Sequence, residues 1–511
     1  MAELTDRPDQ PFPPGTYDAV VVGSGPGALQ LTYSLRARGV DHAVISRDAA
    51  PGGMFRKWPI FQRMLSWTKP YAQHDKGTTE YERFDWNSLL GNEAETRAIM
   101  PEVMDGTSYF PSRPEMEQGL VTFAERAGLR VRYGCVWQST RRDDEELVIV
   151  TSDGEYRTKL AVFAVGVAEP WRPAILRVDG VQQYGELRPA EGYKDRRIFI
   201  VGKQNSGFEI ATGLLPWARQ IILASPSPTR LSVDTRTLVG VRARYVQPYE
   251  DWALAGGVVI LDSSIEAVEP HGGTFTVKTK SADGRGIDFE VDDVIAATGF
   301  ECPLLDLSQV GVATFGQSRL PAQTPYWESA TAPGIFFAGT IMQASRGMLK
   351  HGIPSNSGAV QGYRYNARVL ARHIAEKLGK RFEGRHLRME EVGPFLLREA
   401  SCGPELWHQR SYLARVLAVA ADGGMVDEGI QPLAQFVDDT RPDVPDGVAV
   451  ALEHNGRDDP YPAIYVRAKG KVKEKLLDPH PLLDFEGDAY QWEVASLLRM
   501  APAGALSPSV Q

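Results

Sequence analysis

Two glycine-rich turns carry the clearest chemical signal in this sequence. The first begins at Gly23 (GSGPGA), directly after the apolar run of residues 17–22 and directly before a helical spacing over residues 28–38. Glycine permits the tight turn and lets a pyrophosphate approach the bare backbone, while a small residue at the end lets helix pack on strand. The free N–H groups at a helix start favour negative charge. This turn therefore predicts a dinucleotide site, with contacts from Gly23, Gly25, Gly27 and Ala28.

The same strand–turn–helix arrangement recurs far along the chain. Residues 197–201 (RIFIV) read as a buried strand that turns at Gly202. The separation is too long for one dinucleotide-binding unit and suits two nested domains. Later strands are predicted over 291–297 and 334–338, followed by a helix with one apolar face over 360–378. The predicted fold class is α/β, with two nested Rossmann-type domains.

The ribose position of the first unit departs from the usual pattern. A Glu or Asp commonly ends the second strand, predicted here over residues 42–46, and binds the ribose hydroxyls. This sequence has Ser46 at that place, with Asp48 two residues later as an alternative. Ser46 and the adjacent Arg47 are predicted cofactor contacts, although a hydroxyl lacks the charge assistance of a carboxylate.

Length, charge and cysteine content limit the classes of protein to which this chain can belong. The chain has 511 residues, 43% of them apolar and 24% charged, which predicts two or three ordinary globular domains. A net charge of −9 without a basic run argues against nucleic-acid binding. Cys135, Cys302 and Cys402 form no CxxC pair, so neither a disulfide framework nor a dithiol centre is expected. With no apolar run of membrane-spanning length and a polar, proline-rich start, we expect no membrane association and a cytoplasmic protein.

Several short motifs together resemble one enzyme group. Residues 52–55 (GGMF) resemble the GG-x-[WF] turn of class B flavin-dependent monooxygenases, which comprise flavin-containing, N-hydroxylating and Baeyer–Villiger enzymes. Residues 109–113, 297–300 (ATGF) and 334–339 (GIFFAG) are similar to further segments of that group, in the same order. The similarity covers about residues 17–378. It implies that the first domain binds FAD, with further contacts from Gly53, Met54, Phe55, Thr298, Gly299, Gly339, Thr340 and Ser357.

The resemblance implies that the second glycine turn (GKQNSG) binds NADPH. Gln204 replaces the middle glycine of the family pattern, where it would either crowd the pyrophosphate or bond to it. A cation after the strand 220–224 should select the 2′-phosphate, and Arg230 is the nearest arginine, with Arg236 next. The implied NADPH contacts are Gly202, Gln204, Asn205, Ser206, Gly207 and Arg230.

Two departures favour a divergent branch of the group. In the F-x-G-x-x-x-H fingerprint, Gln183 holds the phenylalanine position and Pro189 the histidine position. No asparagine occurs at residues 67–69, where flavin-containing monooxygenases place one. These differences favour the N-hydroxylating enzymes, which lack the fingerprint.

The resemblance implies an NADPH-consuming monooxygenase. Reduced FAD would add dioxygen at C4a, and the hydroperoxide would transfer one oxygen to a small-molecule substrate inside a closed, apolar pocket. The loop 340–357 should pass beside the flavin, and a helix start at residues 357–358 should direct N–H groups at the flavin C2 carbonyl. Candidate catalytic residues are His351, Asn356, Trp67 and Lys69, with Lys57 and Trp58 as further pocket candidates. Two alternatives stay open: a reductase that passes electrons to another acceptor, and a flavoprotein that binds nucleotide as a sensor or structural element.

Beyond residue 380 the sequence has no counterpart in the minimal fold. A helix is predicted over 404–421, and strands over 448–452 and 463–466 joined by a polar turn. This extension would form a lid, a homodimer contact or a packed structural addition. The predicted organisation is a disordered lead (1–16), an FAD domain (17–180 and 291–379), an NADPH domain (181–290) and a C-terminal extension (380–511).

Overall fold

The computed structural model describes residues 10–57, 63–235, 238–421, 423–439, 441 and 445–500. Two candidate residues from the sequence, Trp58 and Arg236, lie outside these ranges. The described chain forms two mainly parallel sheets, a C-terminal antiparallel sheet and smaller β elements. Among the described helices, none has the length and apolar character needed to cross a membrane.

The first domain is built on a five-stranded parallel sheet. Two helices, Pro26–Arg36 and Val360–Lys377, pack together against one face. A second apolar cluster covers the other face, so most residues of the central strands are apolar. The strands lie in the order Ile335–Phe337, Leu160–Phe163, Ala19–Val22, His42–Ser46 and Arg132–Tyr133.

A smaller four-stranded sheet completes this domain. Its edge strand, Gly15–Thr16, belongs to the predicted disordered lead but pairs in parallel with Gly154–Thr158. Phe12 also packs against the core, so residues 10–16 are anchored by apolar contact as well as by pairing. The sheet order is Gly15–Thr16, Gly154–Thr158, Glu146–Thr151 and Trp137–Asp143.

The second domain has a seven-stranded sheet, parallel for its first five strands and antiparallel for the rest. Asp293–Ala296, predicted for the FAD domain, instead pairs between two strands of this sheet because all four of its residues are buried there. The helix Asn205–Leu214 follows the second glycine turn. The strand order is Gln182–Gln183, Asp293–Ala296, Arg197–Val201, Gln220–Ser225, Val258–His271, Thr274–Ser281 and Gly286–Val291.

The C-terminal extension is a separate six-stranded antiparallel sheet. The helices Met389–Cys402 and Asp488–Met500 pack together and contribute to one apolar cluster with it. The predicted hairpin is confirmed, because Gly447–Glu453 and Tyr461–Ala468 pair in antiparallel register. The sheet order is His386–Leu387, Met425–Pro432, Leu413–Val419, Gly447–Glu453, Tyr461–Ala468 and Lys471–Leu476.

The helix predicted over 404–421 is wrong. A helix covers only Pro404–His408, and Leu413–Val419 is a central strand of the sheet. Most of that strand is buried, so its apolar residues are nearly continuous and mimic helical spacing. Further helices span Met100–Val103, Arg113–Arg126, Ser232–Thr235, Gln247–Ala253 and Leu433–Asp438. Short strand pairs join Glu169–Pro170 to Phe300–Glu301 and Thr314–Phe315 to Leu320–Pro321.

Candidate functional site

A cavity of about 1070 Å³ lies between the two parallel-sheet domains, and we call it the central cavity. This volume is at the upper end of the ~300–1,000 Å³ typical of ligand pockets. The first glycine turn forms one wall, and the start of the helix Asn205–Leu214 contributes to the opposite wall. The cavity therefore touches both predicted nucleotide sites.

The first glycine turn has the shape that a dinucleotide requires. Gly23 has φ +128°, and a Cβ there would lie 2.6 Å from the Ala164 carbonyl oxygen. A Cβ on Gly25 would meet no atom of the described residues within 4 Å, so this backbone faces open space in the cavity. Among the described residues no side chain caps the helix Pro26–Arg36, which leaves its first N–H groups available to an anion. Gly27 also lines the cavity, and Ala28 is buried behind it.

The ribose corner of this wall contains a carboxylate. The Ser24 hydroxyl donates to Asp48 Oδ2 over 3.2 Å and lies 2.8 Å from Ser46 Oγ. The Asp48 amide in turn donates to Ser46 Oγ over 3.1 Å, and Lys57 Nζ lies 2.8 Å from Asp48 Oδ1. All four residues line the cavity. Asp48 thus supplies the negative charge that Ser46 lacks. Arg47 lines the cavity as well, with its guanidinium paired to Glu169.

The GGMF turn closes over the first glycine turn. Gly53 has φ +54°, and a Cβ there would lie 3.0 Å from the Gly25 Cα. Arg113 Nη1 donates to the Phe55 carbonyl over 2.5 Å and holds the turn in place. Gly53, Met54 and Phe55 all line the cavity. These residues fit a cofactor whose pyrophosphate runs between two exposed backbone segments.

The far end of this wall is the start of the helix Val360–Lys377. Gly339, Thr340 and the residues 358–361 line the cavity there. The predicted helix start at residues 357–358 is displaced, because Ala359 is the N-cap and no side chain caps it. Ser357 is fully buried behind the wall, where it accepts hydrogen bonds from Asn366 and Gln409 over 2.9 and 3.0 Å.

None of the four predicted catalytic residues lines the central cavity. The Trp67 ring packs at a tilt of 33° against the Trp86 ring, with the ring centroids 4.8 Å apart, and Lys69 is exposed. Asn356 donates to the His408 carbonyl over 2.5 Å, and His351 lies 3.1 Å from the Tyr461 hydroxyl.

The course of the loop 340–357 explains two of these placements. Leu349 and His351 have φ +46° and +57°, which turns the loop toward the C-terminal sheet. Lys350 between them pairs with Glu453 of that sheet over 2.7 Å. The loop therefore places His351 against the C-terminal extension and outside the central cavity.

The second glycine turn repeats the packing of the first. Gly202 has φ +122°, and a Cβ there would lie 2.3 Å from the Ala297 carbonyl oxygen. A Cβ on Gly207 would lie 2.4 Å from the Gly202 carbonyl oxygen, which brings helix against turn. Gln204 is an exposed, extended N-cap. Asn205 and Ser206 line the cavity, whereas these glycines and Gln204 do not.

An acidic side chain that the sequence analysis did not single out faces the cavity from this helix. Glu209 is buried and accepts hydrogen bonds from the hydroxyls of Tyr184 and Tyr245 over 2.5 and 3.0 Å. Burial, and after it the Glu209 carboxylate, raises the pKa of both tyrosines above its usual value. The two hydroxyls thus remain donors and fix the carboxylate in the wall. Its one sequence signal is a glutamate inside the apolar helix FEIATGL.

The cavity also contains an arginine without an acidic partner in the described chain. Asn205 holds the Arg242 backbone, since its Oδ1 accepts from the Arg242 amide over 3.0 Å. The Arg242 side chain lines the cavity, and burial lowers its pKa. Arg230 is exposed and does not line the cavity, and neither do Thr298 and Gly299. Thr298 instead donates to the Trp171 carbonyl over 2.6 Å. Arg242, and not Arg230, is therefore the arginine that lies in the cavity wall beside the second glycine turn.

The cysteines form no redox pair. All three are free thiols. Cys135 lines the cavity but is buried, and burial raises its pKa. Burial also raises the pKa of the Cys302 thiol to about 12. Cys402 lies in the C-terminal extension, at the end of the helix Met389–Cys402. The cavity thus has no dithiol that would exchange with a bound disulfide.

Comparison with known proteins supports the predicted architecture. The family profile of the pyridine nucleotide-disulphide oxidoreductases matches residues 20–339. FAD-dependent oxidoreductase domain-containing protein 2 of Mus musculus is 26% identical over 401 residues, which cover 70% of this chain and 58% of that protein. The protein of the same name from Danio rerio is 29% identical over 235 residues, covering 45% of this chain and 33% of that protein. The chain thus spans between a third and three-fifths of the length of these relatives.

Solved structures show the same fold over 71% of the chain. The bacillithiol disulfide reductase of Bacillus cereus has a TM-score of 0.54 at 19% identity, with 100% of that protein covered. The flavin-containing monooxygenase of Stenotrophomonas maltophilia has 0.53 at 19% identity, with 99% covered. The ornithine N-hydroxylase of Kutzneria sp. 744 has 0.53 at 16% identity, with 100% covered. Reductases and monooxygenases are equally similar, so the likeness identifies the fold alone.

The family profile and the relatives' name agree with the predicted FAD-dependent oxidoreductase, without distinguishing monooxygenase from reductase. The family profile covers more than half of the sequence and includes both glycine turns. The chain therefore belongs to the pyridine nucleotide-disulphide oxidoreductase family.

Proposed function

We propose that this protein binds FAD at the first glycine turn and NADPH at the second, and that it oxygenates a small molecule. N-hydroxylation or a related heteroatom oxidation is the favoured reaction. NADPH, a proton, dioxygen and the substrate would give NADP⁺, water and the substrate with one added oxygen atom. Bound FAD would accept the hydride and pass the electrons to dioxygen.

One observation supports the proposal: a single cavity touches both predicted nucleotide sites and has no dithiol in its wall. A disulfide reductase that relays electrons through its own cysteines needs two thiols close together beside the flavin. Here Cys135 and Cys302 are buried with raised pKa, and Cys402 lies in a different domain. Electrons from bound flavin would therefore pass directly to a small acceptor in the cavity.

The protein's own residues would position the reactants and limit access of water. Apolar side chains such as Met64, Leu65 and Leu238 line the cavity. On the nucleotide side, Arg242 would pair with phosphate and Glu209 would present a fixed acceptor. An apolar chamber suits oxygen transfer, because bulk water would divert the oxygen to hydrogen peroxide.

The decisive experiment follows the fate of oxygen. The purified protein is mixed with NADPH in ¹⁸O₂ and a panel of small amines, amino acids, sulfides and ketones. We expect one substrate class to accelerate NADPH oxidation and to gain one ¹⁸O atom, while hydrogen peroxide falls. Equally fast NADPH-dependent reduction of a quinone or disulfide under argon, with no labelled product in oxygen, would identify a reductase instead.

A further inference from the structure

The loop 340–357 leaves the wall of the central cavity and returns to it. Thr340 and Gln343 line the cavity at its start, and Gly358, the residue directly after the loop, lines it at its end. The two ends meet, because a Cβ on Gly358 would lie 3.3 Å from Gln343 Oε1. Between these ends the loop pairs with the C-terminal sheet through Lys350. The contacts that hold the loop therefore also determine the shape of this part of the wall.

Gln409 of the C-terminal extension holds the end of this loop. It is fully buried and directly follows the helix Pro404–His408. Its Oε1 accepts from the Asn356 amide over 2.9 Å, and its Nε2 donates to Ser357 Oγ over 3.0 Å and to Asn366 Oδ1 over 2.7 Å. Both donors and the acceptor of the side-chain amide are thus in use. One side chain joins the extension to the loop and to the helix that follows it.

The backbone at Asn356 is packed too closely to shift without that helix. Its side-chain amide donates to the His408 carbonyl over 2.5 Å. The Asn356 carbonyl oxygen accepts from the Ala359 amide over 3.0 Å and would lie 2.1 Å from a Cβ on Gly362. Displacement of Asn356 would therefore move Ala359, which is the N-cap of the helix and a residue of the cavity wall.

A second residue of the extension supports the middle of the loop. Gly347 has φ +62°, and a Cβ there would lie 2.6 Å from Tyr412 Cδ2, so the glycine backbone lies against the tyrosine ring. The Tyr412 hydroxyl accepts from the Trp327 indole N–H over 2.9 Å, and both residues belong to the apolar core of the first domain. The extension thus contributes a side chain to that core, which a detachable lid would not do.

We propose that Gln409 is a positioning residue of the cofactor site, through which the C-terminal extension fixes the cavity wall at residues 358–361. This inference rests on the proposed function, with FAD in the central cavity. Gln409 does not line the cavity, so it acts through Asn356 and Ser357. A wall that the extension already holds needs less ordering when FAD binds. The extension is then a constituent of the cofactor site.

The test uses the whole purified chain and the variant Gln409→Met, which keeps the length of the side chain and removes its hydrogen bonds. FAD released on dilution, without pyridine nucleotide, is followed by its fluorescence. We expect the Kd for FAD to rise about tenfold, because binding must then order the loop end and the helix start. The visible absorption bands of the bound flavin should also shift towards those of free FAD. Asn356→Ala, which removes only the hydrogen bond to the His408 carbonyl, should change both readouts in the same direction and by less.

Gln30→Met is the matched control. Gln30 is equally buried, and its amide donates to the Leu90 carbonyl over 3.0 Å and accepts from the Leu90 amide over 2.7 Å. This variant should lower the unfolding temperature in saturating FAD, because the Leu90 backbone loses both partners. It should leave the Kd for FAD and the flavin spectrum unchanged.

Three outcomes would overturn the assignment. The first is a wild-type Kd and flavin spectrum in folded Gln409→Met, and the second is an equal loss of FAD in Gln409→Met and Gln30→Met, which would indicate general destabilisation. If Gln409→Met does not fold, wild-type FAD binding in Asn356→Ala is the third. A wild-type protein that neither contains nor binds FAD would instead contradict the proposed function.

Discussion

Gly27 and Gly339 meet backbone to backbone at the edge of the central cavity. A Cβ on Gly27 would lie 2.3 Å from the Gly339 Cα and 2.6 Å from its amide nitrogen. Gly27 lies in the first turn of the helix Pro26–Arg36, and Gly339 follows the strand Ile335–Phe337. This contact brings the last strand of the first sheet against the dinucleotide turn.

Gly27→Ala should therefore destabilise the protein and deplete it of FAD. The obstructing atoms belong to the backbone, so a rotamer change cannot relieve the overlap, and overpacking of this kind costs about 1–3 kcal/mol. Urea unfolding and the flavin-to-protein absorbance ratio measure the two effects. Gly77→Ala is the control, because a Cβ there has nothing within 4 Å. Equal behaviour of the two variants would contradict the close approach.

Gly25→Val should also lose FAD, but without destabilising the protein. A Cβ at Gly25 meets no atom within 4 Å in the part of the chain that the structure describes. Its φ of −73° and ψ of 176° suit a branched residue, so the protein should fold. The valine side chain would occupy the space proposed for the pyrophosphate, and FAD should be lost. Circular dichroism and flavin content of the purified variant report the outcome. A normal flavin ratio would show that the cofactor lies elsewhere.

The glycine turns were predictable because their geometry is local. Gly23 and Gly202 each follow a buried strand and precede a helix, and each approaches the carbonyl of the residue that directly follows a neighbouring strand. His351 was not predictable in this way, because a distant sheet determines the course of its loop. Arg242 gave no sequence signal. Its significance depends on its burial in the cavity wall and on the absence of an acidic partner among the described residues, and both are properties of the assembled fold.

Arg242→Ala should weaken nucleotide binding more than Arg230→Ala. Arg242 lines the cavity beside the helix start at Asn205, whereas Arg230 is exposed outside it. We expect the KM for NADPH to rise at least tenfold in Arg242→Ala, since a charge-assisted phosphate contact is lost, with flavin content unchanged. Steady-state kinetics with NADPH and NADH show whether the 2′-phosphate or the pyrophosphate is the partner. A larger effect of Arg230→Ala would restore the interpretation made from the sequence.

Stability should fall on mild acidification because of His408. This imidazole is fully buried beneath Tyr365, and burial, then the Arg364 charge, holds its pKa well below 6.5. The unfolded chain binds a proton near pH 6.5 and the folded chain does not, so lower pH favours unfolding. Between pH 7.5 and pH 5.5, His408 should lower the free energy of unfolding by about 1.4 kcal/mol. Urea unfolding of wild type and His408→Gln at both pH values isolates the contribution of His408. An identical pH dependence in the two proteins would contradict this role of His408.

Lys350 anchors the loop 340–357 to the C-terminal sheet through an ion pair with Glu453. Breaking this ion pair should lower the free energy of unfolding more than breaking an ion pair at the surface. The Glu453 side chain is 0% exposed and meets Lys350 Nζ at 2.7 Å. Lys350→Met would leave a buried carboxylate without its cation, at a cost of about 3–5 kcal/mol in unfolding free energy. The double variant Lys350→Met/Glu453→Gln should recover most of this loss, because the neutral amide needs no counter-charge. The second partner of Lys350, Glu474, is 33% exposed and stays solvated without the lysine.

Lys377→Met is the matched control for that pair. Its partner Glu328 lies 3.1 Å away, but Lys377 is 38% exposed, so the loss should stay below about 1 kcal/mol. Urea unfolding of the three variants, all with FAD in excess, gives the comparison. Recovery in the double variant identifies the uncompensated charge as the cause of the loss. A double variant as unstable as Lys350→Met would show that the lysine stabilises the loop through packing and not through its charge.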